Sequence, residues 1–146
     1  RAGDVSGKGV VVLGAGPIGS LVAQTAKGLG AAKVLITDLS AWRLGKARAC
    51  GIDACVNTGE QDLGQAILEA FGPDKADVIF DCAGTNATMD QAIRHARKGS
   101  TLVLVAVFAD KASVDLAVLN DHELDLNTSM MYRHEDYVDA IRFVGD

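Results

Sequence analysis

Val10-Val11-Val12-Leu13-Gly14-Ala15-Gly16-Pro17-Ile18-Gly19 is the stretch from which the fold can be read. Its first four residues are apolar, the composition of a parallel strand buried on both faces. Glycines at 14, 16 and 19 follow in the spacing G-x-G-x-x-G, and an apolar helical pattern comes next. Strand, tight turn and helix start make the opening of a dinucleotide-binding βαβ unit. Each glycine has its own task there. Gly14 permits the sharp turn, Gly16 clears the backbone for a pyrophosphate, and Gly19 lets the helix pack on the strand. Free N–H groups and the positive dipole end of the helix then face the phosphates.

A second strand, Lys33 to Thr37, runs into Asp38, 19 residues past Gly19. An acid at that place can accept hydrogen bonds from both adenosine ribose hydroxyls, and it would repel a 2′-phosphate. Asp38 therefore points to NAD rather than NADP. Its plainer reading is a solvated acid that caps the next helix. Arg43 can contact the adenosine or lie on a wet helix face.

The totals agree with a nucleotide-binding domain. A chain of 146 residues, 49% apolar, is large enough for one folded core. A net charge of −5 argues against general binding to nucleic acid or a membrane surface. No apolar run approaches the roughly 18 residues of a membrane span. Cys50, Cys55 and Cys82 form no C-x-x-C pair, and an odd count suits a reducing compartment, so a cytoplasmic location is expected. All three read as small core or near-core residues. Both ends read as cut, as in one domain of a longer protein.

Strand and helix signals alternate along the chain. Ile18, Leu21, Val22 and Leu29 share one face of the first helix, and Gly28 and Gly30 end it. Ser40 caps a second helix carrying Leu44 and Ala47. Ala54 to Asn57 is a third strand, and Leu63, Ile67, Ala70 and Phe71 mark a third helix broken by Gly72-Pro73. Ala76 to Phe80 is strand four, followed by Asp81, Cys82, Ala83 and Gly84. Thr85 or Asn86 caps a helix with Met89, Ala92, Ile93 and Ala96 inward. Thr101 to Val105 and Leu124 to Thr128 are strands five and six, with a helical turn near Leu116 between them. A last helix, Glu135 to Val144, turns Val138, Ile141 and Val144 inward. This alternation predicts an α/β, doubly wound parallel six-stranded sheet (a Rossmann fold), of order 3-2-1-4-5-6. Ligands of such sheets bind at the carboxyl ends of the strands where the winding reverses. Asp81 has two readings there: a ligand-facing acid, or a cap for the next helix. The small residues Cys82, Ala83 and Gly84 leave room for the adenine-ribose half of a cofactor, or serve plain packing.

Catalytic and metal signals are absent. His95, His122 and His134 are far apart and read as surface residues, and His134-Glu135 lacks a second His four residues on. No paired Cys or His ligands and no G-x-S-x-G elbow occur. Neither Tyr132 nor Tyr137 has a lysine four residues on. The chain has a cofactor cradle with no acid, base or metal of its own.

Taken together, Gly14-Ala-Gly-Pro-Ile-Gly19, Thr37-Asp-Leu-Ser40 with Arg43-Leu44, Gly51-Ile-Asp-Ala54, Asp77-Val-Ile-Phe-Asp-Cys-Ala-Gly84, Gly99-Ser-Thr-Leu-Val-Leu-Val105 and Leu124-Asp-Leu126 with Tyr132 resemble the cofactor domain of medium-chain zinc-dependent alcohol dehydrogenases, in particular the sorbitol (polyol) dehydrogenase branch. The resemblance covers nearly the whole chain. It implies NAD contacts from Ile18, Asp38 and Arg43, beside the candidate cofactor-binding residues Gly14, Gly16, Pro17, Gly19, Leu39 and Cys82 to Gly84 at the strand ends. Further contacts are implied from Val105, Ala106 and Val107, and from Ser129, Met130 and Met131 near the nicotinamide. Family members often carry Gly in place of Ala106, and a glycine, an aromatic and an Arg around Thr128 to Met131, where this chain has Thr-Ser-Met-Met. The resemblance also implies a parent enzyme, an oligomer of identical subunits, whose separate catalytic domain binds zinc and the alcohol or polyol. There, zinc activates the alcohol and hydride passes to NAD. This chain would bind NAD but no zinc. The alternative from another class is a non-catalytic nucleotide-sensing domain of the potassium-channel regulatory type, which shares G-x-G-x-x-G and an acid after strand two. A methyltransferase is disfavoured, since Val11 to Leu13 offers no acid before the glycine loop.

Overall fold

The computed structural model describes residues 1–145. Six strands form one parallel sheet, β1 (Gly9–Leu13), β2 (Lys33–Asp38), β3 (Ala54–Asn57), β4 (Val78–Asp81), β5 (Thr101–Leu104) and β6 (Asp125–Thr128). Their spatial order is β3-β2-β1-β4-β5-β6, the predicted one. Between them lie α1 (Pro17–Gly28), α2 (Ala41–Ala49), α3 (Leu63–Phe71), α4 (Asn86–His95) and α5 (Leu116–Asp121), and α6 (His134–Gly145) follows β6. The winding reverses between β1 and β4. Leu13 there pairs with Thr37 on one side and Asp81 on the other, so all three carboxyl ends finish level.

Alternation along the strands feeds two cores, because successive side chains point to opposite faces. Val11, Leu13, Leu35, Ile79 and Leu102 pack with Leu63, Ile67, Met89, Ala92 and Ile93 of α3 and α4. Val10, Val12, Val34, Ile36, Val78 and Val103 pack with Ala23 and Ala26 of α1 and Leu44 and Ala47 of α2. Side chains cap four of the helices at their starts. Ser40, Asp62 and Thr85 accept from the backbone N–H of Arg43, Gln65 and Thr88 respectively, and Asp115 from those of Ala117 and Val118.

Several expectations need correction. The buried residues of α1 are Gly19, Ala23 and Ala26. Ile18, Leu21 and Leu29 are 55%, 61% and 49% exposed, so the large apolar stripe of this helix faces outward. A helix crossing a sheet at Gly19 sits so close that only small residues fit beneath it. In α6, Val138, Ile141 and Val144 are likewise exposed rather than inward. Its Phe143 ring instead lies against Gly28, where a Cβ would come within 3.0 Å of it. Cys50 is exposed at the end of α2, not in the core, whereas Cys55 and Cys82 are half-buried. His134 is exposed, but His95 and His122 are partly buried. Burial holds the His95 imidazole below its usual range, in spite of nearby Asp62. Strand four begins and ends later than expected, since Ala76 and Asp77 precede the ladder and Asp81 closes it. Among the described residues, no helix is long and apolar enough to cross a membrane.

Candidate functional site

The glycine loop lies between two clefts at the carboxyl edge of the sheet. Gly14 has φ +97°, a left-handed conformation that favours glycine, and its N–H donates to the Thr37 carbonyl at 2.9 Å. A Cβ at Gly19 would stand 1.8 Å from the Gly14 carbonyl oxygen, so α1 could not otherwise sit this close. A Cβ at Gly16 would meet nothing within 4 Å. The fold itself has no need of the missing side chain at 16. Its absence leaves open space directly above the N-terminus of α1, the shape a pyrophosphate requires.

Asp38 borders the first cleft. Its Oδ2 accepts from the Ala15 N–H at 2.9 Å and its Oδ1 from the Ser40 N–H at 2.8 Å. The acid thereby ties β2 to the glycine loop and to the start of α2. The Arg43 guanidinium lies 3.5 Å from Oδ2. An ionised carboxylate offers about four lone-pair sites, so acceptor capacity remains for ribose hydroxyls. The cleft holds about 640 Å³ and is lined also by Gly14, Leu39 and Ala83. Thr37, Thr58, Thr85, Thr88 and Gln91 complete it. Sequence reasoning did not single these out as lining residues, although the Thr85-x-x-Thr88 spacing at a helix start was a legible capping signal.

On the other side of the loop a second cleft, of about 710 Å³, is lined by Ile18, Val105, Val107, Ser129, Met130 and Met131. Arg1, Tyr132, Arg133 and Asp136 also border it, brought there by the fold rather than by any local motif. The cleft continues as an apolar groove between α1, along Ile18, Leu21 and Leu29, and the sheet at Phe80, Val103 and Val105. The remaining expected site residues line neither cleft. Gly16 and Pro17 form the loop between them, while Gly19 and Cys82 lie behind it, with Cys82 within 3.3 Å of a Cβ placed on Gly19. Gly84 and Ala106 face each other at the base of the next turn. Burial, with the neighbouring Asp81 carboxylate, pushes the Cys82 thiol up to about 12, so it is held protonated and unreactive.

Asp81 fits neither of its two expected readings, since it is buried away from a ligand and the cap of α4 is Thr85; it braces the turn before that helix. The carboxylate is buried and accepts from the backbone N–H of Ala83 and Gly84 and from the Thr88 hydroxyl. Among the described residues, no group of three or more His, Cys, Asp or Glu could hold a metal ion.

A loop open above Gly16, flanked by two clefts and bordered by an acid on β2, is a cradle of the right form for a dinucleotide. The family model for zinc-binding dehydrogenases matches residues 17–146. The chain belongs to the zinc-binding dehydrogenase family. Sorbitol dehydrogenase of Bos taurus is 36% identical over 135 residues, which cover 90% of this chain and 38% of that protein. An alcohol dehydrogenase of Escherichia coli CFT073, complexed with the cofactor NADH, superposes with a TM-score of 0.87 at 26% identity. It is matched over 99% of this chain and 42% of its own. A candidate zinc-binding dehydrogenase of Sinorhizobium meliloti 1021, bound to NADP, gives 0.80 at 30% identity over 88% of this chain and 39% of its own. The chain thus spans about two fifths of the length of these relatives.

Proposed function

We propose that this chain is the NAD(H)-binding domain of a zinc-dependent oxidoreductase that moves a hydride between a polyol or another secondary alcohol and NAD. The supporting observation is Asp38, held at the mouth of the first cleft by the Ala15 and Ser40 amides with part of its acceptor capacity free. Relatives bound to NADH and to NADP share this fold, so the choice between the two rests on such local chemistry. A 2′-phosphate would bring about two negative charges beside this carboxylate. Arg43, already directed at Asp38, offsets that poorly.

The residues divide the work as follows. The first N–H groups of α1, unpaired within the helix, bind the pyrophosphate over Gly16. Asp38, with Leu39, Arg43 and Ala83, binds the adenosine half in the first cleft. Ile18, Val105, Val107 and Ser129 to Met131 exclude water from the nicotinamide half in the second. Bound NAD supplies the hydride acceptor, and the domain holds it in a fixed place. Zinc, the alcohol and the proton relay would be supplied by a separate catalytic domain of the parent. The sorbitol dehydrogenase relatives favour a polyol as substrate, and the family match favours a dehydrogenase over a nucleotide-sensing regulatory domain.

The test is titration with NADH and NADPH. Trp42, the sole tryptophan, begins α2 beside Arg43 and can report binding by energy transfer to the reduced nicotinamide. NADH is expected to bind at least about tenfold more tightly, a difference of ~1.4 kcal/mol. Equal or tighter binding of NADPH refutes the NAD assignment. Added sorbitol and NAD⁺ should yield no reduced nicotinamide with this chain alone, with or without zinc, and zinc-dependent turnover would overturn the division of labour.

A further inference from the structure

Asp81 gathers hydrogen bonds from two turns at once. Its Oδ1 accepts from the N–H groups of Ala83 and Gly84, both at 3.0 Å, and its Oδ2 from the Thr88 hydroxyl at 3.1 Å. Its main-chain oxygen accepts from Val105 and Ala106 at 2.9 and 3.0 Å. One residue, 1% exposed, thus fixes both the β4–α4 turn and the β5–α5 turn. The two turns touch. Gly84 has φ +70°, and a Cβ there would come 2.7 Å from the Ala106 Cβ and 3.2 Å from the Val107 carbonyl oxygen. A second tie runs from the Ser113 N–H to Asn86 Oδ1 at 2.7 Å.

These turns form opposite parts of the nucleotide site. Ala83, Thr85 and Thr88 wall the first cleft, while Val105 and Val107 wall the second. We propose that Asp81, keyed by the Thr88 hydroxyl, is the positioning residue that sets the distance between the two clefts and so admits a cofactor spanning both. Asp81 touches no ligand and acts through the two turns. The Thr88 hydroxyl has one proton. Asp81 Oδ2, the Thr85 carbonyl and the Thr85 hydroxyl all lie 3.1 Å from the Thr88 oxygen, and the carboxylate is the strongest acceptor of the three. The same oxygen accepts from the Thr85 N–H at 3.0 Å, so the helix cap and the carboxylate are linked through one oxygen.

This inference rests on the cofactor-binding reading above, and the experiment separates the two. Amide hydrogen exchange is measured at residues 82–86 and 105–107 in the unliganded wild type, Thr88→Val, Thr88→Ser and Asp81→Asn, alongside NADH and AMP titrations. Thr88→Val keeps the shape and removes the donor. It should speed exchange at Ala83 and Gly84, which donate to the loosened carboxylate, by about tenfold, the order expected for one lost hydrogen bond, and should shift exchange the same way at Val105 and Ala106, which donate to the main-chain oxygen of the same residue. It should also weaken NADH, which spans both clefts, more than AMP, which fills one. Thr88→Ser should restore both properties. Unchanged exchange at 105–107 in Thr88→Val overturns the positioning role, even if affinity falls, because Thr88 then acts only as a wall of its own cleft. Equal loss of AMP and NADH overturns it too. Failure of the wild type to bind NADH instead defeats the cofactor reading, while the exchange data still decide whether Asp81 couples the turns. Should Asp81→Asn not fold, the two Thr88 variants carry the test.

Discussion

Gly16 and Gly19 look alike in the motif but answer to different demands. A Cβ on Gly19 would meet the Gly14 carbonyl oxygen at 1.8 Å, and backbone cannot swing aside as a side chain can. Gly19→Ala should therefore cost about 1–3 kcal/mol in urea unfolding, as an overpacked core does, and should lose NADH binding with the displaced helix. A Cβ on Gly16 meets nothing, and its φ of −69° suits any residue. Gly16→Ala should unfold within ~0.5 kcal/mol of wild type, yet bind NADH at least about tenfold more weakly, as seen by fluorescence titration. Normal binding by that variant would show that no phosphate lies over the loop. The glycine pattern could be read from sequence because its causes are local, confined to one turn and the helix that follows. The bonds that make Asp81 a hub could not, because Val105 and Ala106 join it only through the pairing of β4 with β5.

At the scale of elements, α1 shows where periodicity misleads. Ile18, Leu21, Val22 and Leu29 mark a stripe, but the helix is pressed to the sheet along Gly19, Ala23 and Ala26. Close approach selects small residues for the inner face, so the large apolar ones identify the outer face. Ala26→Leu should then cost about 1–3 kcal/mol by overpacking, while Leu21→Ser, at a residue 61% exposed, should stay within ~0.5 kcal/mol in the same unfolding assay. The reverse ranking would restore the expected inward stripe. Other helices were legible to the residue, among them α4, whose Met89, Ala92 and Ile93 are all buried, because no glycine forces their close contact. The end of α1 is also fastened electrostatically. Asp53 accepts from Lys27 Nζ at 2.7 Å and from the Val34 N–H at 2.8 Å, joining α1, β2 and the α2–β3 turn. Burial acts against its charge, but these bonds outweigh it and hold the carboxyl below 3.8. A carboxyl so lowered contributes stability above its unfolded value and loses it as pH falls through the folded one. Wild type should therefore lose more stability than Asp53→Asn as pH drops from about 5 to about 3, measured by thermal unfolding across that window. Parallel pH curves would dismiss the Asp53 fastening.

For the molecule as a whole, the order β3-β2-β1-β4-β5-β6 decides how a ligand can lie. This order was readable because right-handed crossovers leave few ways to wind alternating strands and helices. The reversal between β1 and β4 sends α1 and α4 to opposite faces of the sheet, and the glycine loop rises in the gap between them. The clefts on either side have different chemistry. One carries Asp38 and Arg43, and the other Val105, Val107 and the two methionines. Sequence placed residues of both near the strand ends but could not divide them, since that division follows from which neighbours flank the gap. A ligand filling one cleft should therefore feel substitutions in that cleft alone, while a ligand spanning the gap feels both. On the proposed reading AMP fills only the Asp38 side, whereas NADH extends to Val107. Arg43→Ala should weaken AMP and NADH by a similar factor, about three- to tenfold, because it removes a contact both ligands share. Val107→Asp, at a residue 74% exposed where folding is little affected, should weaken NADH by about tenfold or more and leave AMP unchanged. Competition of AMP with NADH, measured by fluorescence in each variant, reads both arms at once. If Val107→Asp weakened AMP in step with NADH, the clefts would not act as separate halves of one extended site.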